Sequence, residues 1–326
     1  MWRTNRVKLD AHYQLTRLAI ALGPSNPFVR VRLRAACRQY GVSLRFTGSV
    51  LELVKADHVI RISARQFGYA PSLAVKYDHY FEQVEPSVVD GNQVVDYSAP
   101  KLQRYRVSGL EFEVTSVPEE EDAIEEYFHW YRPAEGDVVF DLGAYCGLST
   151  YCLSRSVGAS GRVYAFEPDA TSHALLLANI ARHQLLNVIP LQLGVAGTTG
   201  RAEFLAEGTL GSVLSRHSSR ATMGKVSDVE TITLAGACDR YGVPAFIKMD
   251  IEGSEIEVLD SARELLRSTP IQFALDTDHL IDGKMTTAKV EQIFRESGYE
   301  TLSSDRSGFM TTWARPPLPA NGGIQS

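Results

Sequence analysis

From residue 119 onward, short apolar runs alternate with stretches whose apolar positions recur at helical spacing. Strands are predicted over Val138–Leu142, Arg162–Phe166, 188–193, 245–249 and 271–275, and helices over Leu148–Val157, 170–183, 255–266 and 286–297. Residues 231–234 are expected to pair with 202–205. Strands that are apolar on both faces and separated by helices indicate a parallel sheet covered on both sides. The last two runs, 300–302 and 309–313, are joined by a turn too short for a parallel crossover, so the final strand must be antiparallel. The expected fold class is α/β: a doubly wound, mostly parallel, seven-stranded Rossmann-like sheet with an antiparallel last strand.

Residues 1–118 follow a different rhythm. Helices are expected over 10–22 and 28–40, followed by short alternating runs at 44–46, 50–54, 58–63, 93–97, 105–107 and 110–115. This segment reads as a small N-terminal α+β extension, with residues 119–314 as the main domain and the Pro/Gly-rich 315–326 as a flexible tail. The tyrosines and phenylalanine at Tyr77, Tyr80 and Phe81 are expected in a core.

Charge sharpens this division. The formal net charge of −6 is the sum of +7 over residues 1–40 and −13 over the rest. The basic head, including Arg30, Arg32, Arg34 and Arg38, could dock an anionic partner; the plainer expectation is two amphipathic helices with solvated arginine faces. No apolar run reaches the ~18 residues of a membrane span. The N-terminal LTRLAIAL, interrupted by Arg17, suits a short amphipathic helix better than a cleaved signal. Four cysteines without metal or C-x-x-C spacing fit a reduced, cytoplasmic protein.

The chemistry is expected at the carboxyl ends of the strands. The first strand runs into Asp141-Leu142-Gly143-Ala144-Tyr145-Cys146-Gly147. Gly143 permits a tight turn and Gly147 a close helix, whose N-terminus offers N–H groups. The second strand ends in Glu167, 20 residues beyond Gly147, where a carboxylate suits the two hydroxyls of a ribose. The glycine spacing is G-x-x-x-G and not the G-x-G-x-x-G of NAD sites. A carboxylate at 141 would repel a pyrophosphate but complement the cationic S-adenosylmethionine.

Residues from about 120 to 276 resemble the FkbM-type methyltransferases, a class I S-adenosylmethionine-dependent family. The matching segments are GDVVFDLGAYCGLST (136–150), GRVYAFEPDATSHALLLANI (161–180) and AFIKMDIEGSEIEVLDSARELL (245–266). The resemblance implies cofactor contacts at Asp141, Gly143, Gly147 and Glu167, with Ala144 and Tyr145 inside the same loop and Gly194 and Val195 beside the adenine. It also implies methylation of a hydroxyl on a sugar, glycan or secondary metabolite, a small-molecule or glycan acceptor rather than a nucleic acid. Asp250, at the end of the fourth strand, is the first candidate for base or acceptor ligand. Asp276 and His279, after the fifth, come second. Where members often show Glu-x-His, this chain reads Asp276-Thr277-Asp278-His279. Asp250, Glu252, Asp276 and Asp278 could offer oxygen ligands to Mg²⁺, but such residues are common at strand ends without metal, and none is expected.

Overall fold

The computed structural model describes residues 26–206, 213–214, 225–281, 283–305 and 309–316. The helix expected over 10–22 and residues 317–326 of the expected tail lie outside the described residues. Two compact units are present, the first ending at Pro118 and the second beginning at Glu119.

In the first unit, the helix Pro27–Arg38 starts where Asn26 accepts hydrogen bonds from the Phe28 and Val29 backbone N–H groups, with proline in its first turn. Its Val29, Leu33, Ala36 and Cys37 are buried. The arginines on its other side meet rings: Arg30 and Arg34 lie 4.6 and 5.8 Å from the centroid of Phe46, and Arg32 lies 5.3 Å from that of Phe28. A five-stranded sheet follows, in the order Ser43–Thr47, Val50–Lys55, His58–Ser63, Asn92–Tyr97, Ser87–Val89. Its only parallel pairing joins His58–Ser63 to Asn92–Tyr97. A parallel pair needs a crossover, supplied here by three short helices, Ala64–Tyr69, Ala70–Val75 and His79–Gln83, that the periodicity did not reveal. Tyr77, Tyr80 and Phe81 are buried, and Tyr77 donates to the His58 carbonyl at 2.6 Å. The strand expected over 105–107 does not form. Instead Lys101–Arg104 pairs with Glu111–Val114, and Tyr105 bridges singly to Val84.

The second unit is built on a seven-stranded sheet. Numbered in chain order, its strands are Val138–Leu142, Arg162–Phe166, Val188–Leu191, Phe246–Met249, Gln272–Asp276, Glu300–Ser304 and Thr311–Arg315. Their spatial order is 3-2-1-4-5-7-6. The first five pair in parallel. The seventh inserts antiparallel between the fifth and sixth, and it runs through Arg315, two residues beyond the run expected from the sequence. A smaller sheet pairs Lys225–Ile232 with Gly200–Ala206 and with Gly194–Val195. Three helices differ from expectation. Glu121–Tyr127, not expected from the sequence, precedes the first strand. Leu234–Tyr241, capped by Thr233 Oγ1, precedes the fourth strand. The helix expected over 255–266 breaks at Ala262 into Glu255–Ser261 and Arg263–Ser268. The core between sheet and helices includes Phe140, Phe166, Ile247, Met249, Leu275 and Phe294. Among the described residues no helix is long and apolar enough to cross a membrane. All four cysteines are free thiols.

The strand order reverses between the first and fourth strands, the position where open α/β sheets hold ligands. There the two chain exits nearly touch. Gly143 has φ +79°, and a Cβ on it would lie 1.8 Å from the Asp250 carbonyl oxygen. We therefore expect Gly143→Ala to destabilise the protein by about 2–4 kcal/mol, combining overpacking with left-handed strain. Urea unfolding checks this, and a loss below about 0.5 kcal/mol would contradict the close approach.

Candidate functional site

The loop after the first strand is wired internally. The Gly143 and Ala144 N–H groups both donate to the Phe166 carbonyl at 3.0 Å, and the Gly147 N–H donates to Ala144 O. The Tyr145 N–H donates to Glu167 Oε2 at 2.8 Å, and the other Glu167 oxygen accepts from the Asp169 N–H at 2.8 Å. Tyr145 pays for this position with φ +48°, unusual for a non-glycine residue. At Gly147, φ is +98° and a Cβ would meet Leu176 Cδ1 at 2.7 Å, so helix Ala170–Arg182 packs against the turn. The following helix, Leu148–Val157, does not present all its first N–H groups to a ligand: the Leu148 N–H donates to Glu119 Oε2 at 3.1 Å. Sequence reasoning missed Glu119, which sits in an acidic run with no distinguishing spacing. With these N–H groups engaged, the loop lacks the open cradle that a phosphate requires.

Asp141 is fully buried. Its Oδ2 accepts from Ser149 Oγ at 2.9 Å and Thr150 Oγ1 at 2.6 Å, and its Oδ1 lies 3.4 Å from Lys248 Nζ. Lys248 comes from the fourth strand, is itself buried, and donates to the Gly143 carbonyl at 2.8 Å. Burial opposes its charge, but Asp141, Asp250, Glu119 and Asp276 raise its pKa and keep it an ammonium. Asp141 thus has an ion-pair partner inside the protein, although its Oδ1 accepts no hydrogen bond. Glu119 is half-buried and Glu167 is buried. Burial raises both, to about 7 for Glu119 and about 8 for Glu167, the latter against its two backbone hydrogen bonds. Gly194 is buried and approaches Pro168, a Cβ on it falling 3.7 Å from the proline Cβ. Val195 packs its side chain into the core, so only its backbone can face a ligand.

The fourth and fifth strands end in a second cluster. The Asp250 N–H is tied to the Leu142 carbonyl at 2.9 Å. His279 brings Nε2 to 3.5 Å from Asp250 Oδ1 and 3.6 Å from Glu252 Oε2. Its Nδ1 lies 3.0 Å from Oε1 of the fully buried Glu255, an ion-pair contact rather than an aligned hydrogen bond. Burial lowers the imidazole pKa, but Glu255 and Glu252 outweigh it and hold the ring well above the ordinary histidine value. These carboxylates therefore favour the protonated ring, whereas a base must be neutral. Burial raises Asp250 despite Lys248 and His279, and it raises Asp276 further with the help of Asp250 and Asp278. Glu255, although buried, is lowered by His279. Of the candidates, Asp250 and His279 come together, Asp276 ends the neighbouring strand, and Glu252 and Glu255 join them.

Residues 141–301 match the family described as Methyltransferase FkbM domain. A hexuronic acid methyltransferase, AglP of Haloferax volcanii, is 27% identical over 173 residues, which cover 52% of this chain and 68% of that protein. The catalytic subunit TRM61 of the Yarrowia lipolytica tRNA (adenine(58)-N(1))-methyltransferase is 40% identical over 55 residues, only 17% of this chain and 14% of the relative. Among solved structures, an FkbM methyltransferase from Methylobacillus flagellatus is similar at 14% identity and a TM-score of 0.43, over 87% of this chain and 59% of that one. The matched span contains the glycine loop, Glu167, Lys248 and the cluster around Asp250, and the chain belongs to the FkbM-type family of class I S-adenosylmethionine-dependent methyltransferases.

Proposed function

We propose that this protein transfers a methyl group from S-adenosylmethionine to a hydroxyl oxygen on a sugar, glycan or secondary metabolite. The observation that carries the reading is the meeting of the two strand ends, where Gly143 packs against the Asp250 backbone carbonyl. It puts the acidic cluster directly beside the glycine loop. The loop suits this cofactor because its N–H groups are engaged while carboxyls surround it, which favours a cationic ligand without phosphate. Gly143, Ala144, Tyr145 and Gly147 would form its floor, Glu167 would accept from the ribose hydroxyls, and Glu119 would face the ammonium. Gly194 and the Val195 backbone would border the base. When bound, the cofactor supplies an electrophilic methyl on a sulfonium.

This chain's residues then have two tasks. The first is to position the acceptor oxygen, worth up to ~7–11 kcal/mol of barrier. The second is to take its proton, worth roughly 10²–10⁴-fold. Asp250 and Asp276 are the candidates for the second task, since their raised pKa values make them stronger bases than an exposed carboxylate. His279, as a cation, suits holding Asp250 in place. The sugar-methylating relative supports a saccharide acceptor, and a uronic acid is the first substrate to try.

Saturating S-adenosylmethionine should raise the melting temperature, and Glu167→Ala should abolish most of that shift. A wild-type chain unmoved by the cofactor would overturn the reading. The shift should also depend on pH. The folded-state pKa values of Glu119 and Glu167, about 7 and about 8, lie above the value for an unfolded glutamate. The folded state therefore holds these protons longer, and the stability of the ligand-free protein falls as pH rises from ~4.5 toward 8. Over the same window the carboxyls ionise and attract the cation, so the cofactor-induced shift should grow. Calorimetry at pH 6 and pH 8.5 with and without cofactor checks both signs; a shift that shrinks with pH would contradict them.

A further inference from the structure

The cluster around His279 holds more than a methyl-transfer base requires. Among the described residues, Asp250, Glu252 and His279 each present a ligand atom, and these atoms lie within 4.8 Å of one another. Two of the separations, 3.5 and 3.6 Å from Nε2 to the carboxylate oxygens, are long for hydrogen bonds. They are ordinary for donors that share one ion at about 2.1 Å from each. The backbone fixes all three donors. Asp250 is tied to the first strand through Leu142 O, and His279 O accepts from the Thr286 N–H at 2.9 Å across the small hairpin Leu280–Ile281 and Lys284–Met285. Glu252 stands in the turn Ile251-Glu252-Gly253, whose N–H groups at Ile251 and Gly253 donate to Glu255 Oε1.

Glu255 supplies an independent observation. Its side chain is fully buried, it contacts His279 Nδ1 from outside the three donors, and its Oε2 has no hydrogen-bond partner. A buried carboxylate behind one ring nitrogen leaves the other nitrogen aimed at the cluster, the arrangement that orients histidine ligands at metal sites. Charge points the same way. Five carboxyls, Asp250, Glu252, Glu255, Asp276 and Asp278, share two cations, His279 and Lys248, in a partly buried space. Ligation would displace the proton from His279, because only the neutral ring can bind an ion.

We propose that Asp250, Glu252 and His279 form a binding site for a divalent transition-metal ion, with Glu255 as the carboxylate that orients His279. The imidazole favours an ion such as Zn²⁺ over Mg²⁺ or Ca²⁺, and the two carboxylates also admit Mn²⁺. Three protein donors leave coordination positions open, and the place beside the glycine loop gives them to the acceptor oxygen. This last clause rests on the methyltransferase reading; the site itself does not. It departs from the sequence-based expectation of no metal, because spacing alone does not show His279 turning back onto Asp250 and Glu252.

The test is titration of chelator-stripped full-length protein with Mn²⁺, followed by the loss of the free-ion electron paramagnetic resonance signal, then addition of Zn²⁺. The expected result is one Mn²⁺ per chain, displaced by Zn²⁺, with affinity reduced at least ~10-fold in both Glu252→Gln and His279→Ala. Glu252 is partly exposed, so its conservative variant keeps the test valid if His279→Ala misfolds. Absence of binding up to ~1 mM, or binding unchanged in both variants, overturns the proposal. A thermal shift with S-adenosylmethionine on the same samples separates the two readings: a chain that binds Mn²⁺ but not the cofactor retains the metal site and sinks the methyltransferase assignment.

Discussion

One buried ammonium organises the strand ends where the sheet order reverses. Lys248 lies in the fourth strand among apolar residues and is buried, so its charge requires partners inside the molecule. It finds them on the adjacent first strand: the Asp141 carboxylate and, one turn of loop later, the Gly143 carbonyl. Such a pair is not a large source of net stability, because desolvating both charges offsets most of their attraction. Its effect is on geometry. It fixes the two strands at the point where the sheet order reverses, and it holds the start of the glycine loop against the Asp250 turn. The absence of a side chain at 143, the tie from Asp250 N–H to Leu142 O, and the engagement of Asp141 by Ser149 and Thr150 all belong to the same joint.

The joint lies between two acidic regions with different surroundings. On one side, Glu119 and Glu167 cap backbone N–H groups around the loop and sit near the edge of ionisation. On the other, Asp250, Glu252 and Glu255 converge on His279. Lys248 lies between them and interacts with both Asp141 and Asp250. The charge of −13 outside the basic head therefore has a structured component, although most of it is solvated surface. The basic head is partly accounted for as well: Arg30 and Arg34 stack on Phe46, which is packing within the first unit.

The sheet of the second unit was legible because a buried parallel strand must be apolar throughout, and Val138–Leu142 and Arg162–Phe166 are bounded as the pattern predicts. The antiparallel end followed from the shortness of one connection. The order of the last two strands did not, since nothing local tells Thr311–Arg315 to insert beside Gln272–Asp276. Leu234–Tyr241 was missed because only Leu234, Ala237 and Cys238 mark its buried face. In the site, the glycines and Glu167 could be read from spacing, whereas the role of Asp141 could not: its partner is 107 residues away in the chain. The available signal was Lys248 itself, a lone cation inside the apolar run Ala245-Phe246-Ile247-Lys248-Met249, which has to meet a buried anion. His279 was legible as a candidate but not as a cation, because that depends on Glu252 and Glu255 arriving from another strand end.

Lys248 and Asp141 act as one unit, and a double-mutant cycle measures this directly. Lys248→Met and Asp141→Asn should each destabilise the protein by about 3–5 kcal/mol, because each removes the ion-pair partner of a buried charge. The double variant should cost far less than the sum, with a coupling of at least ~1.5 kcal/mol by urea unfolding. Strictly additive losses would contradict the claim.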